Sequence, residues 1–176
     1  MPQHDQDMRC LNLLSAAEHV YEKCGDRPWS RRLIDRAMKF SPDWTGYWLA
    51  GEQMSSIHKN KKLARDFFQK ALESSDNCMD MGLVAGSIIS ELKDRKWAEK
   101  IIKEAVARIE DANDQLFLIH GIIDPDELNN RNWALELLCS LKQYKLDEIE
   151  EIIYQTILDD NNISEAELLE TTKEDV

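Results

Sequence analysis

Chemistry in this 176-residue chain would have to come from four histidines, four cysteines or an acidic C-terminal stretch. His4, His19, His58 and His120 are scattered, and none stands at a triad or metal-site spacing from a carboxylate or cysteine. Cys10, Cys24, Cys78 and Cys139 lie far apart with no CxxC pair. They read as small apolar residues of a reducing compartment rather than as a metal site. The run from Asp159 to Glu170, DDNNISEAELLE, has the length of a calcium loop. It places Ser164 where the loop needs glycine and Ile163 at a ligand position, so the match fails. A glycine-rich phosphate loop is absent as well. These residues offer no catalytic set and no place for a metal or cofactor, so a non-enzymatic role is expected.

Two other groups are suited to binding. Trp44, Tyr47 and Trp48 cluster at one helix start, and aromatic residues left at a groove are typical binding anchors. Arg27, Lys61, Arg95 and Arg131 recur at a near-constant spacing, and stacked repeats would align them into a basic outer ridge.

The elements that would position these groups come from an internal repeat of about 34 residues. DRPWSRRLIDRAM from Asp26, NKKLARDFFQKAL from Asn60, DRKWAEKIIKEAV from Asp94 and NRNWALELLCSLK from Asn130 align without gaps. The anchoring column is Trp29, Leu63, Trp97 and Trp133; after it run Ser30, Ala64, Ala98 and Ala134, then Ile34, Phe68, Ile102 and Leu138, then Ala37, Ala71, Ala105 and Leu141. A further small column, Ala17, Gly51, Ala85 and Gly121, lies twelve residues before the anchor. Asp26, Asn60, Asp94 and Asn130 are suited to helix N-caps, because an Asx oxygen accepts an orphan N–H of the first turn. Each repeat therefore reads as a helix, a short turn and a second helix. The small columns let the paired axes approach, and the large residues fill the space between successive pairs. Beyond Leu141, LDEIEEIIYQTIL gives a ninth helix through Ile149, Ile152, Ile153 and Ile157. Ser164 with Glu167 gives a capping box ahead of a short tenth. These two would cap the open end with an acidic face.

Composition agrees. Six glycines and four prolines are few for an all-β chain, and no apolar run approaches a membrane span. The polar start, Met1 to Arg9, has no apolar secretory segment, so a cytoplasmic location is expected. Of the net charge of −12, Asp147 to Val176 carry −10, which leaves the body close to neutral. Nucleic-acid readers are usually strongly basic, so a nucleic-acid partner is disfavoured.

The columns Ser30, Ile34, Ala37 and Pro42, Ala64, Phe68 and Ala71, and Ala98, Ile102 and Ala105 resemble the second helices of the tetratricopeptide repeat (TPR) family, over about Cys10 to Lys142. The resemblance departs in three places. Small residues of first and second helices are thirteen apart instead of twelve, Glu18 and Glu52 stand where the family prefers Gly or Ala, and repeat four gains two residues around Asp124-Pro125-Asp126. The resemblance implies an all-α, right-handed α-α superhelix (solenoid) of four helix pairs plus C-terminal capping helices. Its expected parts are a flexible 1–9, an array over 10–145 (10–43, 44–77, 78–112 and 113–145), capping helices over 146–170 and a frayed acidic 171–176. It also implies a concave groove holding a protein or peptide segment, lined by Trp44, Tyr47, Trp48, His19, Gln53 and Leu83. Neither helix register supplies the Lys/Asn set with which the family clamps a chaperone carboxylate. The functional expectation is a protein-binding scaffold or chaperone-like adaptor; the alternative is a helical-repeat RNA-binding protein using the ridge of Arg27, Lys61, Arg95 and Arg131. Circular dichroism should be dominated by helix, and a strand content above about 20%, the globular average, would overturn the repeat reading.

Overall fold

A computed structural model describes residues 3–40, 42–75, 77–141 and 144–171. They form ten α-helices, and no strand is found among the described residues. The chain divides into two compact units, residues 1–76 with 91–93, and residues 77–90 with 94–176. In the N-terminal unit α1 (Gln3–Cys24) packs on α2 (Arg27–Ala37), α3 (Trp44–Ser56) packs on α4 (Lys61–Glu73), and α1 also packs on α3. The C-terminal unit contains α5 (Cys78–Ser87), α6 (Arg95–Val106), α7 (Ala112–Ile123), α8 (Arg131–Ser140), α9 (Glu148–Asp160) and α10 (Glu165–Thr171). There α5 pairs with α6 and α7 with α8, while α7 packs on both α5 and α9, and α10 packs on α8.

One turn recurs between paired helices. Gly25, Lys59, Lys93 and Asn129 all have positive φ, at 66°, 54°, 61° and 50°. Each is followed at once by the Asx cap of the second helix. Asp26 accepts from the backbone N–H of Trp29 at 2.8 Å, Asn60 from Leu63 at 3.1 Å, Asp94 from Trp97 at 3.1 Å and Asn130 from Trp133 at 3.3 Å. First helices carry their own Asx column: Asp43 caps Gly46, Asn77 caps Asp80, Asp111 caps Asp114 and Asp147 caps Ile149 and Glu150. The spacing of this second set, 34, 34 and 36 residues, matches that of the first.

Three sequence columns are the core. Ser30, Ala64, Ala98 and Ala134 are fully buried, as are Ile34, Phe68, Ile102 and Leu138 behind them, and Ala37, Ala71, Ala105 and Leu141 beyond. Gly51 shows why the small column exists: a Cβ there would lie 2.7 Å from the Phe68 ring. The anchor column behaves differently. Trp29 is 46% exposed, and Leu63, Trp97 and Trp133 are half-buried. They follow the cap by three residues, on the outer shoulder of the first turn, and contribute an N–H to the cap more than a side chain to the core.

The extra residues of repeat four build a wider turn. The Asn130 N–H reaches the carbonyl of Ile122 at 2.8 Å, and that of Asn129 reaches Asp124 at 3.0 Å. The turn lays the Glu127 carboxylate over Gly86 of α5 and Gly121 of α7, where a Cβ would come within 3.2 and 2.7 Å of its oxygens. Burial raises the Glu127 pKa above the ordinary carboxylate value, and Asp124 adds to the rise.

Three details differ from the sequence reading. Residues 3–9, expected to be flexible, are the first turns of α1, with Asp5 placed favourably at the helix N-terminus. On α9 only part of the apolar set is inside: Ile157 and Leu158 are buried, whereas Ile149 and Ile152 are 68% and 61% exposed. At α10, Ser164 Oγ accepts the Glu167 N–H at 3.2 Å, but the Glu167 carboxylate leaves the cap for Arg131. The full capping box belongs to Asp147 and Glu150. Of the expected frayed tail, 172–176 lies outside the described residues.

The turn device gives an asymmetric prediction. A Cβ at Gly25 would meet nothing within 4 Å, so Gly25→Ala pays only for its left-handed backbone. The expected loss is about 1 kcal/mol, at the lower end of that penalty. Lys93→Gly, at the matching position, should lose nothing and gain up to roughly 0.5 kcal/mol. Urea denaturation of the two variants checks this, and a similar loss from both would show that the left-handed turn is not what holds the pair.

Candidate functional site

The six groove candidates separate into different surroundings. Trp44 and Trp48, one turn apart at the start of α3, stack on each other with ring centroids 5.8 Å apart and planes inclined by 26°. Both are half-buried. The α3 N-terminus that carries them is fixed by Asp43, which accepts the Gly46 N–H at 3.0 Å. Gly46 itself sits close over Pro42 and the Cys10 sulfur, so the start of α3 is pressed against its surroundings. Tyr47 turns toward α4 instead. Its ring lies 6.4 Å from that of Phe67, with the Lys70 ammonium 5.6 Å from its centroid.

Gln53 is not a groove residue. It is 6% exposed, and its Nε2 donates to the carbonyl of Leu14 at 3.0 Å, tying α3 to α1. Its Oε1 is buried without a hydrogen-bond partner. The reason is register: the position faces the seam between consecutive first helices, where a partner cannot reach it. In the C-terminal unit the buried Gln115 of α7 makes a different contact, donating across to the carbonyl of Leu137 and to Ser140 Oγ of α8. His19 on α1 is exposed, and Leu83 on α5 is 39% exposed. Of the six, the structure therefore brings only Trp44 and Trp48 into ring contact, as one half-buried pair.

The basic column also divides. Arg27, Lys61 and Arg95 are exposed at the first positions of their helices. Arg27 lies 5.6 Å over the Tyr21 ring, and its hydrogen bond to the Tyr21 hydroxyl lowers that phenol's pKa. Arg95 reaches the carbonyl of Pro125 at 3.4 Å. Arg131 is committed internally. Its Nε and Nη2 donate to the two Glu167 oxygens at 2.8 and 2.9 Å, and Nη1 donates to the carbonyl of Asn161 at 2.9 Å. It is therefore a strut between α8 and α10, not a ridge cation. Sequence reasoning missed this because the partner lies 36 residues away.

Two of the cysteines belong to the core. Cys10 and Cys78 are buried, and desolvation pushes their thiols up to about 11 and about 12, so neither is a thiolate near neutral pH. None of the four cysteines is in a disulfide. Among the described residues no three His, Cys, Asp or Glu side chains are grouped to hold a metal ion, and no helix is long and apolar enough to cross a membrane. His58, 3.3 Å from Ser30 Oγ, has its pKa lowered by burial first and by Arg31 and Arg27 next. Compared with protein-family models, curated proteins and solved structures, the chain matches none.

The Arg131–Glu167 pair predicts a pH effect. Arg131's hydrogen bond holds the Glu167 carboxyl below its ordinary value of 4.5, so the pair's contribution is complete above that pH. It is lost as the pH falls through the depressed value, when the carboxyl must be protonated. Relative to unstructured amides at the same pH, protection of the α10 amides should fall on acidification in the unmodified chain and should already be low in Glu167→Gln at neutral pH. Identical protection of α10 in both proteins at neutral pH would rule out the strut.

Proposed function

We propose that the chain is a non-enzymatic protein-binding module, an adaptor or scaffold, and that a peptide segment or helix of its partner docks against the first helices of successive pairs. The observation that carries this reading is the stacked, half-buried Trp44–Trp48 pair on a capped, close-packed helix start. Rigid aromatic surface costs little conformational entropy to present, and a partner side chain placed against it gains apolar contact at once. The mechanism would be shape and apolar burial rather than bond chemistry.

The 34-residue recurrence of both Asx columns and of the left-handed turn supports a regular α-α superhelix of TPR-like pairs as the framework. On that pattern α9 and α10 form a fifth pair, since Ser164 follows Asn130 by 34 residues as a cap. A cytoplasmic setting fits four cysteines outside any disulfide. The RNA-binding alternative is weakened by Arg131, whose guanidinium is occupied by Glu167 and by main-chain carbonyls.

Trp48→Ala should keep its helical circular dichroism and lose binding by about 2 kcal/mol or more, the scale of an interface hot spot. Affinity capture from native lysate identifies the partner, and titration of Trp fluorescence with it measures the loss. A folded Trp48→Ala variant that captures the same partners at full strength would overturn the reading.

A further inference from the structure

Two surfaces, one on each unit, are complementary in both charge and apolarity. On the C-terminal unit, α9 turns Ile149 and Ile152 outward at 68% and 61% exposure, the most exposed large apolar side chains among the described residues. They lie three positions apart, on one face of the helix. Glu148, Glu150 and Glu151 adjoin them in sequence, and Asp159 and Asp160 close the same helix, which carries no Lys or Arg. Glu148, Asp159 and Asp160 make no ion pair among the described residues.

On the N-terminal unit, two adjoining hollows of about 420 and 270 Å³ share Arg36 and Phe40. Arg32, Lys39 and Asp35 complete one, and Arg9, Asn12 and Leu13 complete the other. Leu13 and Phe40 give an apolar floor, half-buried, and Met8 beside Arg9 is 46% exposed. Arg9, Arg32, Arg36 and Lys39 make no ion pair among the described residues, while Asp35 is taken by Arg31 at 2.8 Å. The patch is therefore net basic around an apolar floor, the converse of the acidic rim around the α9 isoleucines.

We propose that the chain associates head to tail with a second copy of itself, the Ile149–Ile152 stripe of one copy entering the Arg32–Arg36–Phe40 surface of the next. The two exposed isoleucines on one helix face supply the apolar area of such a contact. The opposed rims would steer the encounter, and like-charged pairing of two α9 faces or of two basic patches would be repelled. The contact is heterologous, since donor and acceptor surfaces differ, so one copy presents both and association can continue beyond a dimer. This inference does not rest on the Trp44–Trp48 pair, which neither surface includes.

Sedimentation of the full chain across micromolar to submillimolar concentration tests it. The mean mass should rise with concentration at about 50 mM salt, and association should weaken at least about tenfold at about 500 mM, where rim charges are screened. Ile149→Glu with Ile152→Glu removes the donor surface, and Arg32→Glu with Arg36→Glu removes the acceptor; each double variant should be monomeric alone. Mixed, they should give a one-to-one dimer and nothing larger, because only one intact donor and one intact acceptor remain. Either double variant self-associating on its own would overturn the proposal, as would a mixture that stays monomeric. An unmodified chain that stays monomeric throughout would assign the α9 stripe to a different partner and overturn it equally.

Discussion

Every paired helix from α1 to α8 is reversed by two adjacent residues, one in the left-handed conformation and the next an Asx whose side chain accepts the N–H three residues on. The first reverses the backbone; the second satisfies one orphan donor of the helix that follows. Because this left-handed residue and Asx cap recur four times, even at the wider turn of repeat four, the second helix leaves each turn with the same face inward. The buried columns at Ser30, Ala64, Ala98 and Ala134 follow from that constancy. The turn accepts a cost where it uses lysine, since Lys59 and Lys93 have a Cβ in a region that favours glycine. Asx capping and core burial on both sides offset it.

With the turns fixed, close packing is met in three ways. Where paired helices come closest, glycine faces a large side chain, as Gly51 faces the Phe68 ring. Where consecutive first helices meet, an amide crosses the seam, Gln53 to Leu14 in the N-terminal unit. In the C-terminal unit Gln115 of α7 instead reaches across to α8. Glu127 is a third case, a carboxylate laid on two glycines by the longer turn of repeat four. A buried polar group placed this way specifies register more than it adds stability, because its desolvation offsets much of its bonding.

The same packing selects what remains available to a partner. Gln53 is drawn inward, Tyr47 lies against Phe67 and Arg131 is spent on α10, while the aromatic pair on α3 stays half-buried and the isoleucine stripe on α9 is exposed. Burial drives Cys10 and Cys78 toward the neutral thiol, as suits small apolar residues of the core.

Much of this was legible from residues alone, because helix periodicity, Asx capping and the size of a side chain at a crossing are local properties. The sequence determined that the chain is helical, where its second helices begin, and that Ile34, Phe68, Ile102 and Leu138 face inward. A second Asx column, Asp43, Asn77, Asp111 and Asp147, was equally available in the spacing. Left-handed turns at Lys59 and Lys93 were not, since only glycine or asparagine announces that conformation. Nor could the chain by itself assign the outward or inward side of residues that periodicity leaves on a helix shoulder. Trp29 half in solvent, Gln53 in a seam, Ile149 and Ile152 uncovered, and Arg131 clasped by Glu167 were all decided by which helix lies next to which. Those contacts join positions tens of residues apart, and a local pattern carries no information about a neighbour brought in by the fold.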